Sequence, residues 1–179
     1  MPPMWTCRSS TWRGSNHCNW CLKNQDAGRI CVQQDDAEQM LAAIKTADVL
    51  VLASPTYFAR LTAQMAAALD RKRPLLFSQP HRGCMTDKHG VALAVSWGRN
   101  SDGETTLLSL INAFMVLEML PVSHHHSGAF FGAVGVTNPA IIGAEANNRR
   151  AVVYETFGLL AAQSVVGRAV DLTRRITRR

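Results

Sequence analysis

Two short, unbroken apolar runs, Val49-Leu50-Val51-Leu52-Ala53 and Val91-Ala92-Leu93-Ala94-Val95, constrain the fold most. A strand with one face in water alternates apolar and polar residues, so a run that is apolar at every position suits a strand covered on both faces. Such strands belong to parallel sheets. The flanking segments agree. Asp35-Asp36 supplies an N-cap and early negative charge for a helix carrying Ala37, Met40, Leu41, Ile44 and Ala47 at helical spacing. Pro55 is expected to end the first strand. Leu61, Met65, Ala68 and Leu69 mark a second helix, closed by Arg71, Lys72, Arg73 and Pro74. Asp102-Gly103-Glu104-Thr105 opens a third, with Leu107, Leu110, Ile111, Phe114 and Leu117 on one face. Leu120-Pro121-Val122-Ser123 is a weak strand candidate. Asn147 is expected to cap a last helix carrying Val153, Phe157, Leu160, Ala161 and Ser164. Strand alternating with helix in this rhythm indicates an α/β fold around a parallel sheet.

The 179 residues fit one domain, and 47% apolar with 18% charged residues is a globular composition. No apolar run reaches bilayer-spanning length, and the first residues lack the basic-then-apolar pattern of a secretory signal. A cytoplasmic location is therefore expected, with no membrane partner. Three parts are expected: an irregular, cysteine-rich segment 1–34, a ligand-binding domain 35–167 and a basic tail 168–179. The tail carries five arginines against Asp171 and supplies most of the +6 net charge. It contains no aromatic residue, so it reads as a solvated tail rather than a nucleic-acid patch.

In open parallel sheets ligands lie beyond the carboxyl ends of the strands. Two loops belong there. Ser54-Pro55-Thr56-Tyr57-Phe58 offers a hydroxyl, a proline-stiffened turn, backbone N–H groups and two aromatic rings. Trp97-Gly98-Arg99-Asn100, continuing to Gly103 and Glu104, offers a third ring, two glycines for close backbone approach, and amide and guanidinium donors. That mixture suits a flat aromatic ligand.

Three stretches carry a resemblance. ADVLVLASPTYFARLTAQMAAALDR (47–71), HCNWCLKNQDAGRICVQQDD (17–36) and SWGRNSDGETTLLSLINAFMVLEMLPV (96–122) resemble segments of the NADPH-dependent FMN reductases and iron–sulfur flavoproteins, at sensible spacing along the chain. The resemblance implies a flavodoxin-like three-layer α/β/α sandwich. It implies FMN as cofactor, NAD(P)H as co-substrate, and a flavin, quinone-like compound or other small molecule as electron acceptor. Ser54, Pro55, Thr56, Tyr57 and Phe58 would hold the dimethylbenzene side and edge of the ring, largely through backbone groups. Trp97, Gly98, Arg99 and Asn100 would line the pyrimidine side, with Gly103 and Glu104 finishing the turn. Hydride chemistry would belong to the flavin, so no protein acid or base is expected to be essential. A homodimer or homotetramer is expected. The alternatives are a non-catalytic electron-transfer or interaction module on the same scaffold, although +6 is the wrong sign for the acidic docking surface such carriers show, and a truncated, inactive homologue. The family begins with a buried strand, a Ser/Gly/Arg/Asn-rich phosphate loop and a helix. No such unit is recognisable before the cysteines, so the sandwich is expected to be incomplete there, with one strand edge uncovered. Arg8 to Thr11 have phosphate-binding residue types without that scaffold.

Cys18, Cys21 and Cys31 have metal-ligand flavour, but Ser15 stands where a four-cysteine cluster would need a thiolate, and nine residues separate Cys21 from Cys31. Structural thiols are expected, and an intact iron–sulfur cluster is not. His124-His125-His126, read as a strand end, would point to alternate faces and could not converge on one metal.

Overall fold

The computed structural model describes residues 17–21, 31–98, 100–137 and 151–177. Helix α1 (Ala37–Thr46) buries Ala37, Leu41 and Ile44, one stripe at helical spacing. Strand β1 (Val49–Tyr57) turns back into β2 (Arg60–Leu61), its antiparallel partner through Thr56 and Tyr57. Helix α2 (Ala63–Asp70) is capped by Thr62, whose hydroxyl accepts the Met65 N–H at 3.2 Å. The short α3 (Pro74–Phe77) has proline at its first position. Then come β3 (His89–Ser96), α4 (Gly103–Val116), β4 (Leu120–Pro121), a 3-10 turn (His125–Ser127), β5 (Ala133–Val136), a second 3-10 turn (Ala151–Tyr154) and α5 (Thr156–Thr177).

The sheet is built on β3. One edge pairs in parallel with β1, in register from Val49 beside His89 to Pro55 beside Val95. The other edge pairs with β4 at His89 and Gly90 and with β5 from Leu93 to Ser96. One strand position is thus filled by two pieces, and residues 122–132 loop out between them. The β3 residues serve two cores. Ala92 and Ala94 pack with Leu41 and Ile44 of α1 and Leu107, Leu110 and Phe114 of α4. Val91 and Leu93 pack on the opposite face with Ala161, Val165 and Ala169 of α5. Gly90 admits the fully buried Phe114 ring, since a Cβ there would lie 2.6 Å from it. The result is a three-layer α/β/α arrangement, and β3 is covered on both faces as its apolar run requires.

Strand β1 is covered less completely. Leu52 and Ser54 are buried, while Val51, Ala53 and Pro55 on the alternate face are exposed. Among the described residues, its edge away from β3 carries only β2, at its last two positions.

Four expectations need correction. Pro55 does not end β1; the strand runs on to Tyr57, because a missing N–H is tolerated on an edge strand. Residues 168–177 are not a free tail but the last turns of α5, where Ala169 and Thr173 are buried and Arg168 and Arg175 face out. His125 and His126 lie in a 3-10 turn, not a strand. Strand β5 has no counterpart among the elements expected from sequence. Asn147 lies outside the described residues.

Candidate functional site at the strand ends

The register that sets Pro55 beside Val95 brings the two predicted loops out of the same edge of the sheet. Tyr57 and Trp97, each two residues beyond that pair, are 61% and 52% exposed, and Phe58 is fully exposed. The turn holding Phe58 is a strained one. Phe58 and Ala59 have φ of +49° and +61°, successive left-handed positions that a tight hairpin turn demands and that glycine or asparagine normally fills. Large apolar rings are thus held out into solvent by a backbone that resists relaxing.

The base of each loop is locked. The Ser54 hydroxyl is buried; it donates to the Pro55 carbonyl at 2.8 Å and accepts the Thr62 N–H at 3.1 Å. That leaves the backbone and rings of the loop, not this hydroxyl, to meet a ligand. Ser96 Oγ donates to the Gly98 carbonyl at 2.9 Å, and Ser101 Oγ accepts the Gly98 N–H at 3.1 Å. Thr137 N–H bonds the Ser96 carbonyl at 2.9 Å, anchoring the second loop to the end of β5. A hydroxyl pair, Thr56 Oγ1 to Thr106 Oγ1 at 2.9 Å, ties β1 to the first turn of α4. Sequence reasoning missed Ser96, Ser101, Thr106 and Thr137. Their only signal was a concentration of hydroxyl residues around strand ends.

Helix α4 starts at Asp102, which is left-handed (φ +56°) and whose side chain makes no capping bond. Among the described residues the first-turn N–H groups thus lack a capping side chain, and the positive end of the helix dipole lies at the second loop. Gly103 permits this close start, since a Cβ there would lie 2.6 Å from Val134 of β5. Asn100 and Glu104 are exposed and Gly98 is buried. Arg99 lies outside the described residues. The titratable side chains of these loops, Tyr57, Asp102 and Glu104, are exposed and make no side-chain hydrogen bond among the described residues. Aromatic rings and backbone N–H groups of the two loops lie at the same edge of the sheet, and among the described residues the loops carry no hydrogen-bonded acid–base pair.

The cysteines lie elsewhere. Arg71, 2% exposed, forms a two-pronged pair with Asp35 at 2.7 and 2.8 Å, and also donates to Gln33 Oε1 at 3.0 Å and Cys31 Sγ at 3.1 Å. This bond from Arg71 holds the Asp35 carboxyl below the usual carboxylate range, against the opposing effect of burial. Asp35 also accepts the Ala37 N–H at 3.0 Å, so its position before α1 serves both capping and the ion pair. Among the described residues, no three His, Cys, Asp or Glu side chains converge as metal ligands. Cys7 and Ser15 lie outside them.

Residues 14–131 match the NADPH-dependent FMN reductase family. An iron-sulfur flavoprotein of Methanocaldococcus jannaschii is 35% identical over 121 residues, which are 68% of this chain and 60% of that protein. An NAD(P)H dehydrogenase (quinone) of Azorhizobium caulinodans is 33% identical over 99 residues, 53% of this chain and 48% of that one. The chain thus spans about half to three-fifths of these relatives' lengths. Among solved structures, a flavodoxin, WrbA-like protein from Agrobacterium tumefaciens superposes with a TM-score of 0.52 at 22% identity, covering 75% of this chain and 73% of that one, a likeness of fold.

Proposed function

We infer that this chain, which belongs to the NADPH-dependent FMN reductase family, is a flavin-dependent oxidoreductase that takes electrons from NAD(P)H and delivers them to a small acceptor, a flavin or quinone-like compound. The observation that carries this reading is the convergence of two strand-end loops, with Tyr57, Phe58 and Trp97 exposed beside the uncapped start of α4. The donor set suits an isoalloxazine: ring faces for its flat body, and backbone N–H groups for its carbonyl and ring-nitrogen edge. FMN, when bound, supplies the hydride chemistry. The Ser54–Phe58 loop would hold one edge of the ring. Trp97 to Asn100, Arg99 included, with Gly103 and Glu104, would line the other. The hydroxyl bonds at the base of the loops, Thr56 to Thr106 and Ser96 to Gly98, would help to hold the backbone that meets the ring.

Relatives bear the names of an iron–sulfur flavoprotein and a quinone dehydrogenase. For this chain the proposal takes the second chemistry, because Ser15 stands where a four-cysteine cluster would need a thiolate and nine residues separate Cys21 from Cys31. Self-association into a dimer or tetramer is part of the proposal: Phe130, Phe131, Tyr154 and Phe157 are each exposed, apolar area of the kind that a second copy would cover. Incubating the purified chain with FMN, removing free flavin, and then following NADH and NADPH oxidation with a quinone acceptor tests the function. Retained flavin absorbance with acceptor-dependent oxidation supports it. A chain that retains flavin but oxidises neither nucleotide is the electron carrier instead, and one that retains none refutes the assignment.

A further inference from the structure

A cleft of about 470 Å³ lies away from the flavin loops. It lies between the end of α2, the start of α3 and the C-terminal half of α4, with Cys18 and Trp20 on its rim. Asn112, its first α4 residue, is nine positions along the helix from Gly103, roughly 13 Å at 1.5 Å rise per residue. The flavin loops and this cleft therefore use opposite ends of one helix.

The walls are apolar: Leu69, Leu76, Val116 and Leu117. Lys72 lines the cleft although it is only 3% exposed, and among the described residues its ammonium has no hydrogen-bond or ion-pair partner. A cation held this way is unfavourable unless something compensates it. The nearby groups do not. Arg73 is a second cation on the same wall, stacked 3.1 Å from the Trp20 ring centroid, and its Nε is buried without a partner. Asp70, the one carboxylate in the lining, is exposed and pairs with neither. Asn112 adds an amide donor, and Cys18 is the remaining titratable group.

We propose that this cleft binds a small organic monocarboxylate with an apolar body, the carboxylate seated on Lys72 and Asn112 and the body against Leu76, Val116 and Leu117. One buried ammonium and one amide satisfy a single carboxylate. The apolar walls match an organic body rather than a bare phosphate dianion, and the second cation, Arg73, is engaged on the Trp20 ring. Lysine burial also lowers its proton affinity, to a pKa of about 8, and an incoming anion reverses that effect. Binding near pH 8 therefore draws a proton onto the site.

Calorimetric titration of the full chain with 2-naphthoate, and with uncharged 2-naphthalenemethanol, tests this. The carboxylate is expected to bind at least tenfold more tightly than the alcohol. It is expected to take up about half a proton at pH 8, read from buffers of different ionisation enthalpy. Lys72→Met is expected to abolish that preference and the uptake. Val116→Trp, at an exposed rim position, is expected to block both probes. Tyr57→Ala is expected to change nothing here, which separates this site from the flavin site. No saturable naphthoate binding, equal affinity for both probes, or an unchanged preference in Lys72→Met would overturn the proposal.

Discussion

Replacing Lys72 by methionine keeps the length and apolar stem of the side chain and removes the buried ammonium. Burial lowers the lysine pKa from 10.5 to about 8. At about 1.4 kcal/mol per pKa unit, folding carries a penalty of about 3 kcal/mol while the group is charged. The sign is fixed by the order of the two values. Below pH 8 both folded and unfolded chains hold the proton, and the full penalty applies. Between 8 and 10.5 the unfolded chain binds more protons, so stability rises with pH. Above 10.5 both are neutral and the penalty is gone. Lys72→Met is therefore expected to be about 3 kcal/mol more stable than the native chain at pH 7, a large share of a typical domain's stability. The gain should shrink through pH 8 to 10.5. Urea unfolding of both chains from about pH 6.5 to 10.5, with equal m-values, measures it. A pH-independent difference, or a destabilised Lys72→Met, would show that the ammonium is compensated in the native chain and would refute the reasoning.

Asp35→Asn removes the carboxylate charge from the two-pronged pair with the buried Arg71 guanidinium and is expected to destabilise the fold by about 3 kcal/mol, read by thermal or urea unfolding. Because the Asp35 pKa is depressed, its contribution is complete above the ordinary carboxylate pKa and is lost as pH falls through the lowered value, so the native and Asp35→Asn chains should converge in acid. Iron and acid-labile sulfide are expected at far below the roughly four per chain of a four-iron cluster after anaerobic reconstitution; stoichiometric iron and sulfide would show that Cys7, or another residue outside those described, completes a ligand set.

The parts of the fold legible in the sequence are those where local pattern and tertiary role coincide. The apolar runs of β1 and β3 and the helical stripes of α1, α2 and α4 are visible because each keeps its buried residues at the spacing of its own element. Strand β5 is not, since Ala133-Val134-Gly135-Val136 is short, contains glycine and pairs with β3, whose Leu93 lies forty positions before Ala133. The arginines from Arg168 onward suggest a solvated tail by charge alone; the period of four linking Val165, Ala169 and Thr173 is the better guide, because it marks the buried stripe of a packed helix.

The buried cations are the least legible. Arg71 and Lys72 look like ordinary helix-closing charges, because the partner of Arg71 is Asp35, thirty-six positions earlier, and what surrounds Lys72 comes from α4. At the site, the rings and glycines of both loops stand out by residue type. The hydroxyl bond from Thr56 to Thr106 joins residues fifty positions apart, so it depends on tertiary placement and cannot be read along the chain.

The central claim is that a flavin ring sits between the loops at the ends of β1 and β3. Titrating FMN with the native chain and with Tyr57→Ala, Trp97→Ala and His125→Ala, followed by quenching of flavin fluorescence, tests it most directly. Loss of one stacking ring removes on the order of 1–3 kcal/mol, or about fivefold to over a hundredfold in affinity. Tyr57→Ala and Trp97→Ala are expected to weaken binding within that range, and His125→Ala to leave it unchanged. Equal FMN affinity in all four proteins would contradict the account and place the flavin, if it binds, away from these loops.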